Sequence, residues 1–280
     1  MISLRKEDSM KIQNNSFSIL LASVLIVATG CASTQETIQA MHDWEKGHTV
    51  SYELVQNQNQ ILEIPGQGTQ ENPGSTTIDI SVAATGPYQY TFSVTDAEAV
   101  GARTPISALI GLESAVVLEP NGRIVTASGL ADNAYVAAAG GAEQFKESLQ
   151  EIFLILPDEP LAAGVSWTRE SSVPFAQMGL EGMRESTAKY RSKRLTMYKG
   201  VSAFEIEVSS DVSLIGSGNQ GGGEMEITMD GTLDGILFVD ASSGTLLNSE
   251  QSGEITGMID MAQMSIPIIL ELTRITSIVE

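Results

Sequence analysis

The sequence predicts a mainly β, α+β fold: one large curved antiparallel sheet, or two sheets, with a central amphipathic helix packed against them. Three observations carry this. Long stretches alternate apolar and polar residues with period two, Gly-, Pro- and Asn-rich pieces punctuate them, and one segment alone places apolar residues at helical spacing. Alternation with one wet face belongs to antiparallel sheet, and the apolar face then needs a covering layer.

Taken in order, "TVSYELV" puts Val50, Tyr52 and Leu54 on one face, and "TTIDISV" does the same with Ile78, Ile80 and Val82. Between them "EIPGQGTQENPGS" reads as a long hairpin loop. "YQYTFSV" alternates Tyr88, Tyr90, Phe92 and Val94 with polar residues. "SAVVLEPNGRIVTASG" reads as strand, Asn121-Gly122 turn, strand. The helix is expected over Gln144 to Leu156, where Phe145, Leu149, Ile152, Phe153 and Leu156 share a face and Pro157 stops the run. "ADNAYVAAAGGA" supplies an earlier helical piece broken at Gly140-Gly141, and a strand follows at Val165 to Arg169.

Further strands bury Phe204, Ile206 and Val208, then Met225, Ile227 and Met229, then Ile268, Leu270 and Leu272. "GSGNQGGG" reads as a flexible loop between the first two of these. "DASSGTLLNS" repeats the strand, Gly turn, strand plan, which suggests two similar halves, 42–157 and 158–280.

The amino terminus has its own logic. From Met10-Lys11 a polar stretch leads into an apolar run, Phe17 to Ala28, and then Thr29-Gly30-Cys31. A basic start, a short apolar middle and small residues before a cut form the plan of a secretory signal. The run is too short to cross about 30 Å of hydrocarbon, which takes roughly 20 apolar residues. Met1 and Met10 both remain possible starts.

Ala28-Thr29-Gly30-Cys31 resembles the lipobox of bacterial lipoproteins, with Ala28 where Leu is more usual. The resemblance implies cleavage between Gly30 and Cys31 and acylation of Cys31, the single cysteine. Several acyl chains give stable anchoring where one does not. Ala32 stands where Asp would mark inner-membrane retention, so the implied location is the cell envelope, at the outer membrane where two membranes exist. The chain then divides into a signal peptide at 1–30, a polar tether at 31–41 and a β-rich domain at 42–280.

A second resemblance covers Trp44 to Trp167. "WEKGHTVSYEL", "LEPNGRIV", the helix, and Pro157, Pro160, Gly164 and Trp167 are similar in order to an uncharacterised family of envelope lipoproteins. That family implies no activity. A looser likeness to periplasmic carriers of lipids and lipoproteins implies a half-barrel with a covering helix over an apolar cavity, and fold alone does not fix function.

Net charge is −20, and without residues 1–30 the chain keeps 12 basic and 33 acidic residues, net −21. That charge makes nucleic acid an unsuitable partner. One cysteine excludes an internal disulfide. His42 and His48 bring no third ligand and read as turn or surface residues, so no metal or cofactor is expected. Asp158-Glu159 and the acids from Glu224 to Asp230 read as solvated charges. "DGTLDGILFVDA" places Asp230, Thr232, Asp234 and Gly235 as in a calcium loop, but Ala241 replaces the closing Glu, and the piece reads as a hairpin.

Met225, Met229, Met258, Met261 and Met264 read first as adaptable core and then as pocket lining. Phe145, Phe153, Met225 and Met229 are the candidate walls of an apolar pocket between sheet and helix. Lys189, Arg191 and Lys193 form a basic ribbon that would dock an anionic partner, unless it is a Lys-protected edge strand or is neutralised by acidic neighbours. The expected function is a non-enzymatic binding or structural module, held to the membrane through Cys31. The alternative is a lipid or lipoprotein carrier with an apolar cavity, and a carboxylate hydrolase stands behind both.

Overall fold

In a computed structural model the chain is described at residues 42, 44–101, 106–138, 141–177, 180–220, 223–261 and 264–279. Gly30 and Cys31, the signal and the tether lie outside the described residues. Eleven strands form one antiparallel sheet: β1 (Thr49–Ile64), β2 (Gly68–Gly86), β3 (Gln89–Val100), β4 (Glu113–Leu118), β5 (Ile124–Ser128), β6 (Ser166–Gln177), β7 (Leu180–Tyr198), β8 (Val201–Gln220), β9 (Gly223–Asp240), β10 (Leu246–Met261) and β11 (Met264–Val279). Two helices, α1 (Ala134–Ala138) and α2 (Ala142–Leu149), lie between β5 and β6. The sheet order is β5-β4-β3-β2-β1-β11-β10-β9-β8-β7-β6, so every hairpin neighbour pairs and β1 joins the two arms through β11.

Alternation places each strand's faces as expected. Tyr52, Ile80, Val82, Phe92, Phe204, Ile206 and Leu237 are buried in one core, and the register pairs Tyr52 with Ile80 and Phe92 with Val82. Two expected loops and one expected hairpin are continuous strand instead. The piece between β1 and β2 turns within three residues, and Gly68 to Gly74 pairs with Gln58 to Ile64. "GSGNQ" continues β8, and the calcium-like "DGTLDGILFVD" is the second half of β9 rather than a hairpin. Both partner strands of β9 are long and apolar on one face, so pairing overrides local glycine content.

The glycines within these strands make the sheet curl. A Cβ at Gly231, Gly235, Gly253 or Gly257 would overlap a carbonyl oxygen of the neighbouring strand. Their absent side chains let adjacent strands fold sharply towards each other, the role of glycine kinks in curved sheets. Gly182 and Gly216 pair across β7 and β8, and the Phe175 ring covers both, 2.6 Å from where a Cβ of Gly216 would stand.

The expected helix over Gln144 to Leu156 is corrected to α2, which ends at Leu149. Gln150 stops it by bonding elsewhere: its Oε1 accepts from Ile124 N–H at 2.8 Å, and its Nε2 donates to Gly122 O at 2.8 Å and to Phe153 O. The following carbonyls are also claimed from outside. Leu154 O accepts from His42 Nε2 at 2.8 Å, Ile155 O accepts from Trp167 Nε1 at 2.9 Å, and Leu156 N–H donates to Asn121 O at 2.8 Å. These bonds hold Ile152 to Leu156 as a non-helical strap across the concave face, where Ile152, Phe153, Leu154 and Leu156 are buried. The Asn121-Gly122 turn needs glycine twice over: φ is 96°, and a Cβ would lie 2.6 Å from Leu154 O.

Candidate ligand-binding cavity

The strap and α2 cover one part of the concave face. Beyond them the same face is open, and a cavity of about 350 Å³ lies between β6–β11 and the underside of α2. Its apolar wall includes Leu180, Val212, Leu214, Ile227, Met229 and Leu270. A small separate apolar cluster around Met229, Ile255 and Ile268 underlies this region.

Charge is sorted by strand parity. Every described acidic residue of β6–β11 falls on the convex face, opposite the cavity-lining positions, as the registers Glu205↔Phe238, Glu207↔Ile236 and Glu254↔Glu271 show beside Leu214↔Met229. The inward face carries arginines. Arg169 on β6, Arg184 on β7 and Arg274 on β11 line the cavity, where Glu147 and Glu151 descend from the α2 side.

Glu147 binds Arg169, which is also hydrogen-bonded to Tyr190, and Glu151 binds Arg274 at 2.9 Å. Arg184 has neither a hydrogen bond nor an ion pair among the described residues. Burial lowers its pKa first, the nearby Arg274 charge lowers it further, and Glu151 opposes both. Arg184 and Arg274 belong to strands four places apart, a separation of about 19 Å on a flat sheet at about 4.8 Å per strand. The curl of the sheet is what brings them to face one another.

Of the four pocket residues read from sequence, Met229 lines the cavity. Phe153 is fully buried in the covered core, with Tyr90 at 5.3 Å and His42 at 6.2 Å between ring centroids. Phe145 packs edge-on to Phe92 in the same core, and Met225 is buried further along β9. Met261 pairs with both Met225 and Met264 at the hairpin ends, while Met258 pairs with Thr228 on the other face.

Lys189, Arg191 and Lys193 lie on the convex face of β7. The strand is one place in from the β6 edge, so the edge-strand reading is corrected. Neutralisation is what the geometry shows: Lys189 pairs with Asp211 at 2.9 Å, Lys193 with Glu207 at 2.7 Å, and Arg194 with Glu205 at 2.8 Å. A bulge between Ser192 and Arg194 turns Arg194 to this face, where strict alternation had put it opposite. The β6 edge itself carries Pro174, which cannot donate to a further strand.

The histidines are apart. His48 is exposed against the Trp44 ring, but His42 is buried, against the surface reading. Burial pushes its pKa down to about 4, against a smaller upward pull from Leu154 O. Asp158 and Glu159 are exposed on a loop. Among the described residues no three His, Cys, Asp or Glu side chains group to hold a metal, and no helix is long and apolar enough to cross a membrane.

Sequence reasoning missed Arg169, Arg184, Arg274, Glu147 and Glu151. A signal existed: Arg274 continues the Ile268, Leu270, Leu272 face and Arg184 sits at an inward position, each a charge where the alternation asks for an apolar residue.

Residues 133–246, from the start of α1 to the start of β10, match the model of a family of unknown function (DUF6263). This agrees with the coarser sequence expectation of an uncharacterised family. No curated protein matches. Among solved structures, DynF from the dynemicin biosynthesis pathway of Micromonospora chersina is similar over 85% of this chain and 83% of that one, at 11% identity and a TM-score of 0.24, a likeness too slight to argue from.

Proposed function

We propose that the chain is a lipid-anchored, non-enzymatic binding module of the cell envelope that holds an apolar ligand on the concave face of its sheet. The carrying observation is the cavity of about 350 Å³, where an aliphatic wall including Val212, Leu214, Ile227 and Met229 is bordered by Gln, Ser, Arg and Glu side chains, whereas the covered part of the face is packed core. That volume falls within the range of about 300–1,000 Å³ found for small-molecule sites. A hydrolase draws no support here, because the two carboxylates in the cavity are each held by a guanidinium rather than facing one another across a cleft.

Native mass spectrometry of protein extracted gently from membranes tests the cavity, with a co-purifying amphiphile as the expected result. A protein that carries nothing, and takes up no added amphiphile, has a structural role and not this one. The anchor has a separate test. Cys31→Ser should abolish fatty-acid labelling and release the protein from membranes, and undiminished labelling would refute the lipobox reading.

A further inference from the structure

Arg184 stands out among the cavity's charged groups. The described lining residues include three arginines and two glutamates, and the two ion pairs leave one positive charge over. Guanidinium does not deprotonate in proteins, so Arg184 cannot shed its charge to suit an apolar wall. Arg184 is half-buried; a charge partly withdrawn from water without a close partner is costly, and one that persists favours a counter-ion from outside the chain.

The surroundings say what kind. Arg184 is flanked on the same face by Leu214, its register partner on β8, and by Val173 on β6. Leu180, Ile227 and Met229 continue the apolar wall beyond it. The unpaired charge borders the aliphatic wall of the cavity, and the volume lies near the lower end of the usual range, which suits one chain rather than the several of a membrane lipid. The planar fork of Arg matches a carboxylate with two parallel hydrogen bonds.

Resting on the cavity reading above, we propose that the ligand is a single-chain carboxylic acid amphiphile, its carboxylate paired with Arg184 and its hydrocarbon chain lying along Leu214, Ile227 and Met229. On the convex face Lys189, Lys193 and Arg194 are already paired with carboxylates of β8. Arg274 and Glu151, already paired with each other, line the same cavity.

Calorimetric titration of the intact protein with hexadecanoic acid and with hexadecan-1-ol tests this. The acid should bind more tightly than the alcohol by about tenfold to a hundredfold, the size of a hydrogen-bonded charge. Arg184→Gln should bring the acid down to the alcohol's affinity and leave the alcohol unchanged, and Arg184→Lys should restore part of the difference. The ligand-free Arg184→Gln protein should also unfold at a higher temperature than the wild type, because a half-buried unpaired charge is gone; a residue with a merely structural role would lower it. Equal affinity for acid and alcohol, unmoved by Arg184→Gln, overturns the carboxylate assignment while the cavity stands. Binding of neither compound overturns both.

Discussion

The two parts of the concave face are built by one rule and put to different ends. At the covered part, inward side chains from both arms of the sheet, Tyr52, Tyr90 and Phe92 on β1 and β3 and Phe204, Ile206 and Val239 on β8 and β9, pack in one core with Trp44 and the strap's Phe153. At the open part, stretches of β6–β11 further along the same strands, with Gln56 and Gln58 of β1, meet a cavity instead, above a small apolar cluster around Met229, Ile255 and Ile268. The difference is not in the strands. It lies in the strap, which is long enough to fill one part and ends where the arginines begin. An apolar sheet face is therefore core or binding surface according to what its connecting segment reaches.

The largest expected effect breaks this contrast directly. Phe153→Ala removes a fully buried ring from the covered part and should cost about 3–5 kcal/mol. Met229→Ala at the cavity wall should cost about 1–2 kcal/mol, because the space it leaves adjoins an existing cavity. Urea unfolding of the two variants compares them, and equal losses would mean that the open part is packed as tightly as the covered one.

The covered part should also be the pH-sensitive one. His42 titrates at about 4 in the folded protein, and its ordinary value is 6.5. Between those values the unfolded chain binds a proton that the folded chain refuses, so stability falls as pH drops from 6.5 towards 4 and flattens below. The loss is about 3 kcal/mol at about 1.36 kcal/mol per pH unit. Carboxylates titrate nearby, so the quantity to measure is the difference between wild type and His42→Gln, whose amide can still donate to Leu154 O. Parallel stability curves for the two proteins would show that His42 is not responsible.

A smaller effect tests why the open part is concave at all. Gly231→Ala places a Cβ against Glu254 O, and should destabilise by about 1–3 kcal/mol, the range for overpacking. Were Gly231 in an ordinary flat strand, the same change would stabilise by about 0.4–1 kcal/mol through the unfolded chain. The sign of the change in urea midpoint decides between curl and flat sheet.

These residues also show how far the sequence could be read. Alternation located the strands and the inward sets Val50, Tyr52, Leu54 and Phe204, Ile206, Val208, because one wet face writes itself as period two. It missed strands where glycine and polar residues interrupt the alternation, as at "EIPGQGTQENPGS" and at "DGTLDGILFVD", where Gly231 and Gly235 fall between the buried Leu233 and Leu237, since there the partner strand decides. The helix was over-extended for a similar reason: Leu149, Ile152, Phe153 and Leu156 have helical spacing, but Gln150, His42 and Trp167 take the hydrogen bonds of the strap from a distance. Of the cavity, Met229 was legible. Arg184 and Arg274 were visible as breaks in an apolar face, yet that they meet depends on a curl set by glycines whose effect no local pattern reports.

The smallest expected effect concerns the convex ribbon, whose cations resemble those of the cavity in number but not in circumstance. Lys189, Lys193 and Arg194 each face a carboxylate on β8, and these pairs are exposed to solvent. Exposed pairs are screened and add little to stability. Lys193→Ala should therefore leave the urea midpoint unchanged and leave hexadecanoic acid affinity unchanged as well, because the charge it removes was already answered by Glu207. Arg184→Gln, in contrast, should move both. If Lys193→Ala weakened acid binding as Arg184→Gln does, recognition would rest on the net charge of β7 rather than on one unpaired guanidinium in an apolar wall. The cavity and the ribbon are the two faces of the same strand, so this pair of variants separates the effect of a charge from the effect of where it points.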